Sequence, residues 1–255
     1  MKKPLNILIA NDDGIQAEGI RLLVQALSSK GDVYVVAPDG QRSASSHCLS
    51  LHDELVLTEE TDFPGAKRAW KLSATPADCI KVGYDVLRKE GIMVDIVYAG
   101  INHGANLATD TIYSGTVSAA AEGAFLGLPA VAVSVCDHFP KYFDGACDLA
   151  LAVFERALDM KGSGRVISLN APNIPREELK GVKVAKLGSL TYHDWFSETA
   201  PGVFRYEGAP VFDVSNEPDS DVYLTREGWA TIAMVKYDLN DYDGLKLAEE
   251  WSITI

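Results

Sequence analysis

The chain has 255 residues, of which 47% are hydrophobic. This composition is typical of a globular protein with one large domain or two small ones. Acidic residues outnumber basic ones by 36 to 23, and the formal net charge of -13 disfavours binding to nucleic-acid polymers or anionic membranes. A small anionic substrate would therefore need a metal ion that reverses the charge locally.

The cysteines and the N-terminal segment indicate the cellular compartment. Cys48, Cys79, Cys136 and Cys147 lack the C-x-x-C spacing of metal and redox motifs, so we predict small core residues in a reducing compartment. The apolar stretch at 5–10 is too short for a signal-peptide core, and no apolar run approaches the ~18 residues of a membrane span. These features predict a cytoplasmic protein.

Apolar runs and helical patterns alternate along the first two thirds of the chain. The runs predict strands at 5–10, 33–37, 94–99, 130–135 and 165–169. Amphipathic spacing predicts helices at 15–27, 77–88, 117–126 and 144–160. Such alternation is typical of a mostly parallel sheet covered on both faces. We predict a doubly wound, Rossmann-like α/β fold with its catalytic core at residues 1–170.

The pattern changes after about residue 170, where prolines and short strands replace the long helices. The segments 203–206 and 211–214 flank a short turn and predict an extended hairpin. This region is rich in aromatic residues: Tyr192, Trp195, Phe196, Phe204, Tyr206 and Phe212. They fit either an ordinary core or a subunit interface. We predict that residues 171–255 form an extension packed on the core, with the hairpin and the oligomerisation elements.

Oxygen-bearing side chains follow several predicted strands, and ligands of open parallel sheets bind at such strand ends. The first strand ends in Asn11-Asp12-Asp13-Gly14, where adjacent carboxylates repel each other unless a cation or a donor balances them. A solvent-exposed turn would explain the same residues. The segment 38–47 adds hydroxyl groups, and 100–106 adds carboxamides. This all-oxygen set suits Mg²⁺ or Mn²⁺.

The segment Ser114-Gly115-Thr116 precedes an alanine-rich stretch and predicts the start of a helix. Unpaired N–H groups and the positive end of the dipole make a helix start a favourable phosphate seat. A plain helix cap would explain the same residues. Beside an oxygen-rich metal site, the motif favours phosphoryl transfer, which needs a cation and oriented donors on one phosphate.

Five sequence blocks resemble the SurE family in order and spacing: IANDDG (9–14), VAPDGQRSASSH (36–47), SATPADC (73–79), AGINHGAN (99–106) and YSGTVSAAAEG (113–123). The resemblance is strong over about the first 135 residues and weaker from residue 220 onward. It implies a SurE-type fold and a hydrolase of the 5′-nucleotidase or acid phosphatase class. It also implies one divalent cation per subunit, nucleoside 5′- and 3′-monophosphates as small-molecule substrates, and a homodimer or homotetramer.

The resemblance also implies roles for individual residues. The metal ligands are Asp12, Asp13, Ser43 and Asn102, of which Asp12, Asp13 and Asn102 are also expected to be catalytic. The residues of the phosphate-binding segment are Asn106, Ser114, Gly115 and Thr116.

Other polar residues in these blocks are expected to have supporting roles. Thr75 and Asp78 are expected to support the site or cap a helix, and His47 to support its own loop. For His103, substrate contact and loop packing are both open. The remaining histidines are expected on the surface or in the core: His52, His138 and His193.

Three alternative functions fit the sequence less well. The main one is a domain that binds a nucleotide cofactor without hydrolysing it, but such a domain would carry G-x-G-x-x-G where Asn11-Asp12-Asp13-Gly14 stands. Haloacid-dehalogenase-type phosphatases, in which Asp12 would be a covalent nucleophile, typically place their aspartates two residues apart. A serine hydrolase would carry a G-x-S-x-G elbow, which the sequence lacks.

Overall fold

The structure, a computed structural model, describes residues 4–193, 195–211, 217–251 and 253. Its strands are β1 (Leu5–Ala10), β2 (Gly31–Pro38), β3 (Leu57–Glu60), β4 (Arg68–Leu72), β5 (Ile96–His103), β6 (Ala130–Val135), β7 (Arg165–Ala171), β8 (Val182–Val184), β9 (Thr191–His193), β10 (Phe196–Ala200), β11 (Val203–Tyr206), β12 (Ala209–Val211) and β13 (Ala230–Lys236). The α-helices are α1 (Glu18–Leu27), α2 (Pro76–Lys89), α3 (Gly115–Phe125), α4 (Asp144–Leu158), α5 (Asp221–Arg226) and α6 (Tyr242–Glu249). Short 3₁₀ helices lie at Ala108–Ile112 and Arg176–Glu178.

One large sheet forms the centre of the molecule, with the strand order β3-β4-β2-β1-β5-β6-β7-β13-β8. The run from β4 to β7 is parallel, whereas β3 and β13 join it antiparallel. From β1 the chain builds the sheet outward through β2 and β4, and then on the other side through β5, β6 and β7. The predicted doubly wound α/β fold is therefore confirmed. Its switch point, where such sheets bind ligands, lies between β1 and β5.

Helices cover both faces of this sheet, which explains the continuous apolar character of its strands. Successive side chains of a strand point to opposite faces. Ile7 and Ile9 of β1 accordingly join the core cluster that contains residues of α1 and α4. Leu8 and Ala10 join the cluster that contains residues of α2 and α3. All four side chains are fully buried, so β1 is the central strand of two cores.

The part of the chain after residue 170 contributes to the same sheet. β13 pairs with β7 in an antiparallel register that runs from Thr231 opposite Asn170 to Lys236 opposite Arg165. β8 then pairs with β13. The division into a core and an extension at residue 170 stays a prediction. None of the helices in the described ranges has the length and apolar character that crossing a bilayer requires.

The hairpin exists, but its predicted strand pairing is wrong. β11 pairs with β10, and β12 pairs with β9, so 203–206 and 209–211 follow each other on the same side of the hairpin. The turn lies at Pro201-Gly202, where Gly202 has a φ of +74°, a left-handed conformation that favours glycine. The Pro-Gly pair would have indicated this turn from the sequence. Residues 212–214 of the predicted second strand lie outside the described residues.

The structure also shows how far the aromatic residues and the cysteines are buried. Trp195, Phe196, Phe204 and Tyr206 of the hairpin are 48–63% exposed, so an ordinary core does not apply to these four, and the subunit interface stays a prediction. Tyr192 is partly buried, and Phe212 lies outside the described residues. All four cysteines are free. Cys79 is buried as predicted and Cys136 and Cys147 partly so, whereas Cys48 is exposed because it lies in a loop.

Gly19, the second residue of α1, lies against the backbone of β5. A Cβ atom at this position would come within 2.1 Å of the carbonyl oxygen of Ile101, which cannot rotate away as a flexible side chain would. We expect Gly19→Ala to lower the free energy of unfolding by about 2 kcal/mol and the midpoint of thermal unfolding by about 5 °C.

Gly145, the second residue of α4, offers a matched control. A Cβ atom there would meet only side-chain carbons, at 3.6 and 3.9 Å. Gly145→Ala should therefore be neutral or stabilise the protein by up to about 1 kcal/mol, through the higher helix propensity of alanine. Thermal unfolding followed by circular dichroism compares the two variants. Equal midpoints would contradict the close approach of α1 to β5.

Candidate active site

A cavity of about 480 Å³ opens at the carboxyl ends of the parallel strands, beside the switch point. Loops after β1, β2 and β5 and the start of α3 all contribute to it. The predicted site residues that line it are Asp12, Asp13, Ser43, Asn102, Asn106 and Ser114. Gly115 and Thr116 do not line this cavity and instead contact Asp12. The fold thus brings together groups that are distant in the sequence.

The start of α3 holds the carboxylate of Asp12. Thr116 donates twice, from its backbone N–H to Oδ2 at 3.2 Å and from its hydroxyl to Oδ1 at 2.5 Å. Gly115 permits this approach, because a Cβ atom there would lie 2.9 Å from Oδ2 of Asp12. On the other side, the backbone N–H of Arg42 donates to the carbonyl oxygen of Asp12 at 2.7 Å. Asp12 is therefore buried and fixed in orientation.

The electrostatics of the aspartate pair favour a bound cation. The pKa of Asp12 is raised to about 6, because burial and the charge of Asp13 raise it by more than the hydrogen bonds from Thr116 lower it. Burial also raises the pKa of Asp13, against the hydrogen bond that the backbone N–H of His103 donates to its Oδ2 at 2.9 Å. In the described part of the chain, no lysine or arginine lines the cavity. A divalent cation would supply the missing positive charge.

The donor atoms around the pair suit a hard cation. The side-chain nitrogen of Asn102 donates to the carbonyl oxygen of Gly104 at 2.9 Å, which leaves the carboxamide oxygen of Asn102 able to bind a cation. The hydroxyl oxygen of Ser43 accepts a hydrogen bond from Gln41 at 2.9 Å. No three His, Cys, Asp or Glu side chains in the described ranges are grouped so that they could hold a metal ion, and a cation here would also need the amide and hydroxyl oxygens. Oxygen ligands of this kind suit hard divalent cations.

Asn106 and Ser114 form the neutral side of the cavity. The backbone N–H of Asn106 donates to Oδ1 of Asn170 at 2.9 Å, and its side-chain nitrogen donates to the hydroxyl of Ser134 at 2.8 Å. One amide hydrogen of Asn106 is left for a ligand. Ser114 caps α3 by accepting from the N–H of Val117 at 3.0 Å. The N–H groups of Thr116, Val117 and Ser118 already donate to Asp12 or Ser114, so of the first N–H groups of α3 that of Gly115 is left for an anion.

The structure also decides several supporting roles. Thr75 and Asp78 form a capping box at the start of α2, as predicted for a helix cap. His47 contacts Glu122 of α3 at 2.8 Å and so holds its own loop. His103 lines the cavity, and its ring lies 5.5 Å from that of Phe143. Its Nε2 is buried without a hydrogen bond to any described residue. His103 packs on Phe143 and also borders the cavity, so substrate contact and loop packing both stay open as its role.

Five further cavity residues with polar or aromatic side chains were not assigned to the site from the sequence: Gln41, Asp110, Tyr113, His138 and Phe139. His138 is exposed, which is one of the two predicted environments, yet it borders the cavity. It follows β6 together with Phe139, and inspection of that strand end would have found both residues. Asp110 and Tyr113 lie in or beside a 3₁₀ helix that the apolar pattern does not indicate.

Known proteins are similar to this chain over nearly its whole length. The family model described as Survival protein SurE matches residues 7–194. The 5′-nucleotidase SurE of Petrotoga mobilis is 36% identical over 252 residues, covering 97% of this chain and 99% of that protein. The 5′-nucleotidase SurE of Gloeobacter violaceus is 40% identical, with 97% and 96% covered.

A solved structure agrees with these relatives. The crystal structure of the SurE protein from Aquifex aeolicus is similar with a TM-score of 0.82 and 32% sequence identity, covering 96% of this chain and 98% of that one. The sequence match and the fold match extend over the same elements, including the strand ends that line the cavity. The chain belongs to the SurE family.

Proposed function

We propose that the protein is a phosphomonoesterase that hydrolyses nucleoside monophosphates to nucleoside and phosphate. The observation that carries the proposal is the carboxylate pair of the buried Asp12 and the half-buried Asp13, which lines one cavity with the start of α3. The aspartate pair would bind a cation, and the start of α3 would bind a phosphate. The relatives in Petrotoga mobilis and Gloeobacter violaceus, which carry the name 5′-nucleotidase, support 5′-nucleotides as substrates. We extend the proposal to 3′-nucleotides as a second substrate class.

Asp12, Asp13, Ser43 and Asn102 would hold one divalent cation, Mg²⁺ or Mn²⁺. When bound, this ion would supply positive charge beside the phosphoryl group and lower the pKa of a water molecule. The carboxylate of Asp12 would orient the attacking water and accept its proton, and Thr116 keeps that carboxylate in place. Site geometry of this kind lowers the barrier because the reacting groups are positioned before the reaction.

The other side of the cavity would stabilise the phosphoryl oxygens. The hydroxyl of Ser114, the N–H of Gly115 at the start of α3 and the second amide hydrogen of Asn106 would donate to them as their negative charge increases. Water attacks phosphorus, the P–O ester bond breaks, and the nucleoside leaves as an alcohol after it takes up a proton. The main alternative, cofactor binding without hydrolysis, uses the same cavity but requires no attacking water.

Phosphate release from a panel of nucleoside 5′- and 3′-monophosphates tests the reaction class. Release should stop in EDTA and return with Mg²⁺ or Mn²⁺, because the aspartate pair would otherwise repel the phosphate dianion. The order of substrates by kcat/KM identifies the preferred nucleotide. Nucleotide binding without phosphate release under any metal would support the binding-domain alternative and refute the proposal.

Variants of the pair connect this activity to the cavity. Asp12→Asn and Asp13→Asn should each lower kcat/KM on the order of 10³-fold and weaken Mn²⁺ binding measured by calorimetry. Asp32→Asn is the control, because Asp32 lies at the amino end of β2 and bonds Lys67. Turnover retained in both pair variants would rule out the assignment.

Thr116 is expected to act through Asp12. Thr116→Val removes the hydroxyl but keeps the branched shape, so Asp12 loses one of its two donors from α3. We expect a loss of about 10- to 100-fold in kcat, as for other residues that orient a metal ligand. Thr116→Ser keeps the hydroxyl and should stay close to wild type. Steady-state kinetics of both variants provide the measurement. An equal loss of activity in Thr116→Val and Thr116→Ser would contradict this role.

We also propose that the protein is a cytoplasmic homo-oligomer with a subunit contact on the hairpin. The rings of Phe196 and Tyr206 lie 5.4 Å apart, and with Trp195 and Phe204 they form an exposed apolar surface. Surfaces of this kind mark protein interfaces.

A double change, Phe196→Ser with Phe204→Ser, should lower the molar mass measured by light scattering, because it removes two rings from that surface. The thermal unfolding of the subunit should remain cooperative, which separates loss of assembly from loss of the fold. An unchanged mass would place the subunit contact elsewhere.

A further inference from the structure

The cavity changes in character from its floor to its mouth. Asp12 is only 3% exposed, whereas two aromatic residues that line the same cavity are largely open to solvent. Phe139, after β6, is 86% exposed, and Tyr113, before α3, is 60% exposed. The cavity thus combines a buried, acidic floor with an exposed aromatic rim.

Hydrogen bonds hold the backbone of the loop that carries Phe139, both at this residue and just after it. Oδ1 of Asp137 accepts from the N–H of Phe139 at 2.8 Å, and Oδ2 of Asp137 accepts from the side chain of Asn173 at 2.8 Å. Oδ1 of Asn173 accepts from the N–H groups of Lys141 and Tyr142 at 2.9 and 3.0 Å. The backbone is therefore fixed in a position that leaves an apolar ring in water.

Tyr113 is fixed in a comparable way. Its N–H donates to the carbonyl oxygen of Asp110, and its own carbonyl oxygen accepts from the N–H of Ser46, both at 3.0 Å. Single exposed apolar residues are normal on protein surfaces. Two exposed aromatic residues, each on a hydrogen-bonded segment and both lining the cavity that holds the acidic pair, form a more specific arrangement.

We propose that Phe139 is the surface on which the base of the substrate nucleotide stacks, and that it determines the preference for nucleotides over phosphate esters without a base. The inference rests on the proposed function. A nucleotide, like the cavity, has two unlike ends: an anionic phosphate at one end and a planar, weakly polar base at the other. Bases stack on aromatic side chains with little regard to sequence, because every base offers a π-face.

The size of the cavity agrees with such a substrate. Its volume of about 480 Å³ lies in the range of sites for small organic ligands and exceeds what a phosphate group alone would occupy. With the phosphate at the floor, the remainder of the molecule must extend toward the rim. Phe139 is the more exposed of the two rim aromatics, so it offers the larger free ring surface.

The test compares a substrate that has a base with one that lacks it. Phe139→Ala should raise KM for adenosine 5′-monophosphate by about 5- to 150-fold with little change in kcat. KM for ribose 5-phosphate should not change, because that ester has no base to stack. Phe139→Trp, which keeps an aromatic face, should restore the KM for the nucleotide, whereas Phe139→Leu should not.

Met93→Ala is the matched control, since it removes an exposed apolar side chain next to the amino end of β5. It should leave both KM values unchanged. An equal rise in KM for both substrates in Phe139→Ala, or no rise for the nucleotide, would overturn the proposal. A lower molar mass of Phe139→Ala in light scattering would also overturn it, because the ring would then belong to a subunit contact.

A failure of the proposed function can be told apart from a failure of this inference. If the wild-type protein releases phosphate from neither substrate, the hydrolase assignment fails. Calorimetric affinity for adenosine 5′-monophosphate then still decides the role of Phe139. Weaker binding in Phe139→Ala would support stacking in a binding protein, and equal binding would refute it.

Discussion

Two neighbouring carboxylates at the end of the central strand, one buried and one half-buried, are the constraint on which the site depends. Asp12 and Asp13 follow β1, whose side chains are buried on both faces, so Asp12 stays buried and Asp13 reaches water only in part. Burial disfavours the charged form of each carboxylate, and their mutual repulsion adds to this cost. The donors from Thr116 and the N–H of His103 offset part of the cost, and a cation would offset the rest.

Close backbone approach is the second condition of this arrangement. The start of α3 can reach Asp12 because residue 115 is a glycine, and α1 can lie on β5 because residue 19 is a glycine. Each glycine brings a helix against the strand end that carries a site residue. The sheet therefore determines the position of the acidic pair, and the two glycines determine how closely the surrounding donors approach it.

Much of the fold could be predicted because, over long segments, the spacing of apolar residues in the sequence matches the pattern in which those residues are buried. β1, β6 and α4 lie almost where the apolar pattern places them. The edge strand β3 and its neighbour β4 were not predicted, since charged residues interrupt the apolar run of each strand. The hairpin was predicted, but its pairing was wrong. The segment 207–210 resembles a turn in the sequence, whereas in the structure only 207–208 separate β11 from β12 along one side of the hairpin.

Residues of the candidate site were predictable where a side chain with a ligand oxygen lies at the end of a strand, as for Asp12 and Asn102. The family resemblance added residues, such as Ser43 and Ser114, whose type alone is common in loops and caps. The orientation of side chains could not be predicted from the sequence. The hydroxyl of Thr116 bonds a carboxylate, which no spacing rule indicates, since the two residues are 104 positions apart. The aromatic rim was missed because the ring of Phe139 can bind neither a metal ion nor a phosphate, and those two chemistries identified the other strand ends.

The antiparallel pairing of β13 with β7 affects how the protein is made. A ribosome releases the chain from its N-terminus, so β1 to β7 emerge before residues 230–236 exist outside the exit tunnel. During that interval β7 has one row of unpaired backbone N–H and carbonyl groups, an edge on which another nascent chain could add a strand. The last strand of the sheet thus protects the newborn protein against aggregation, in addition to its part in the finished fold.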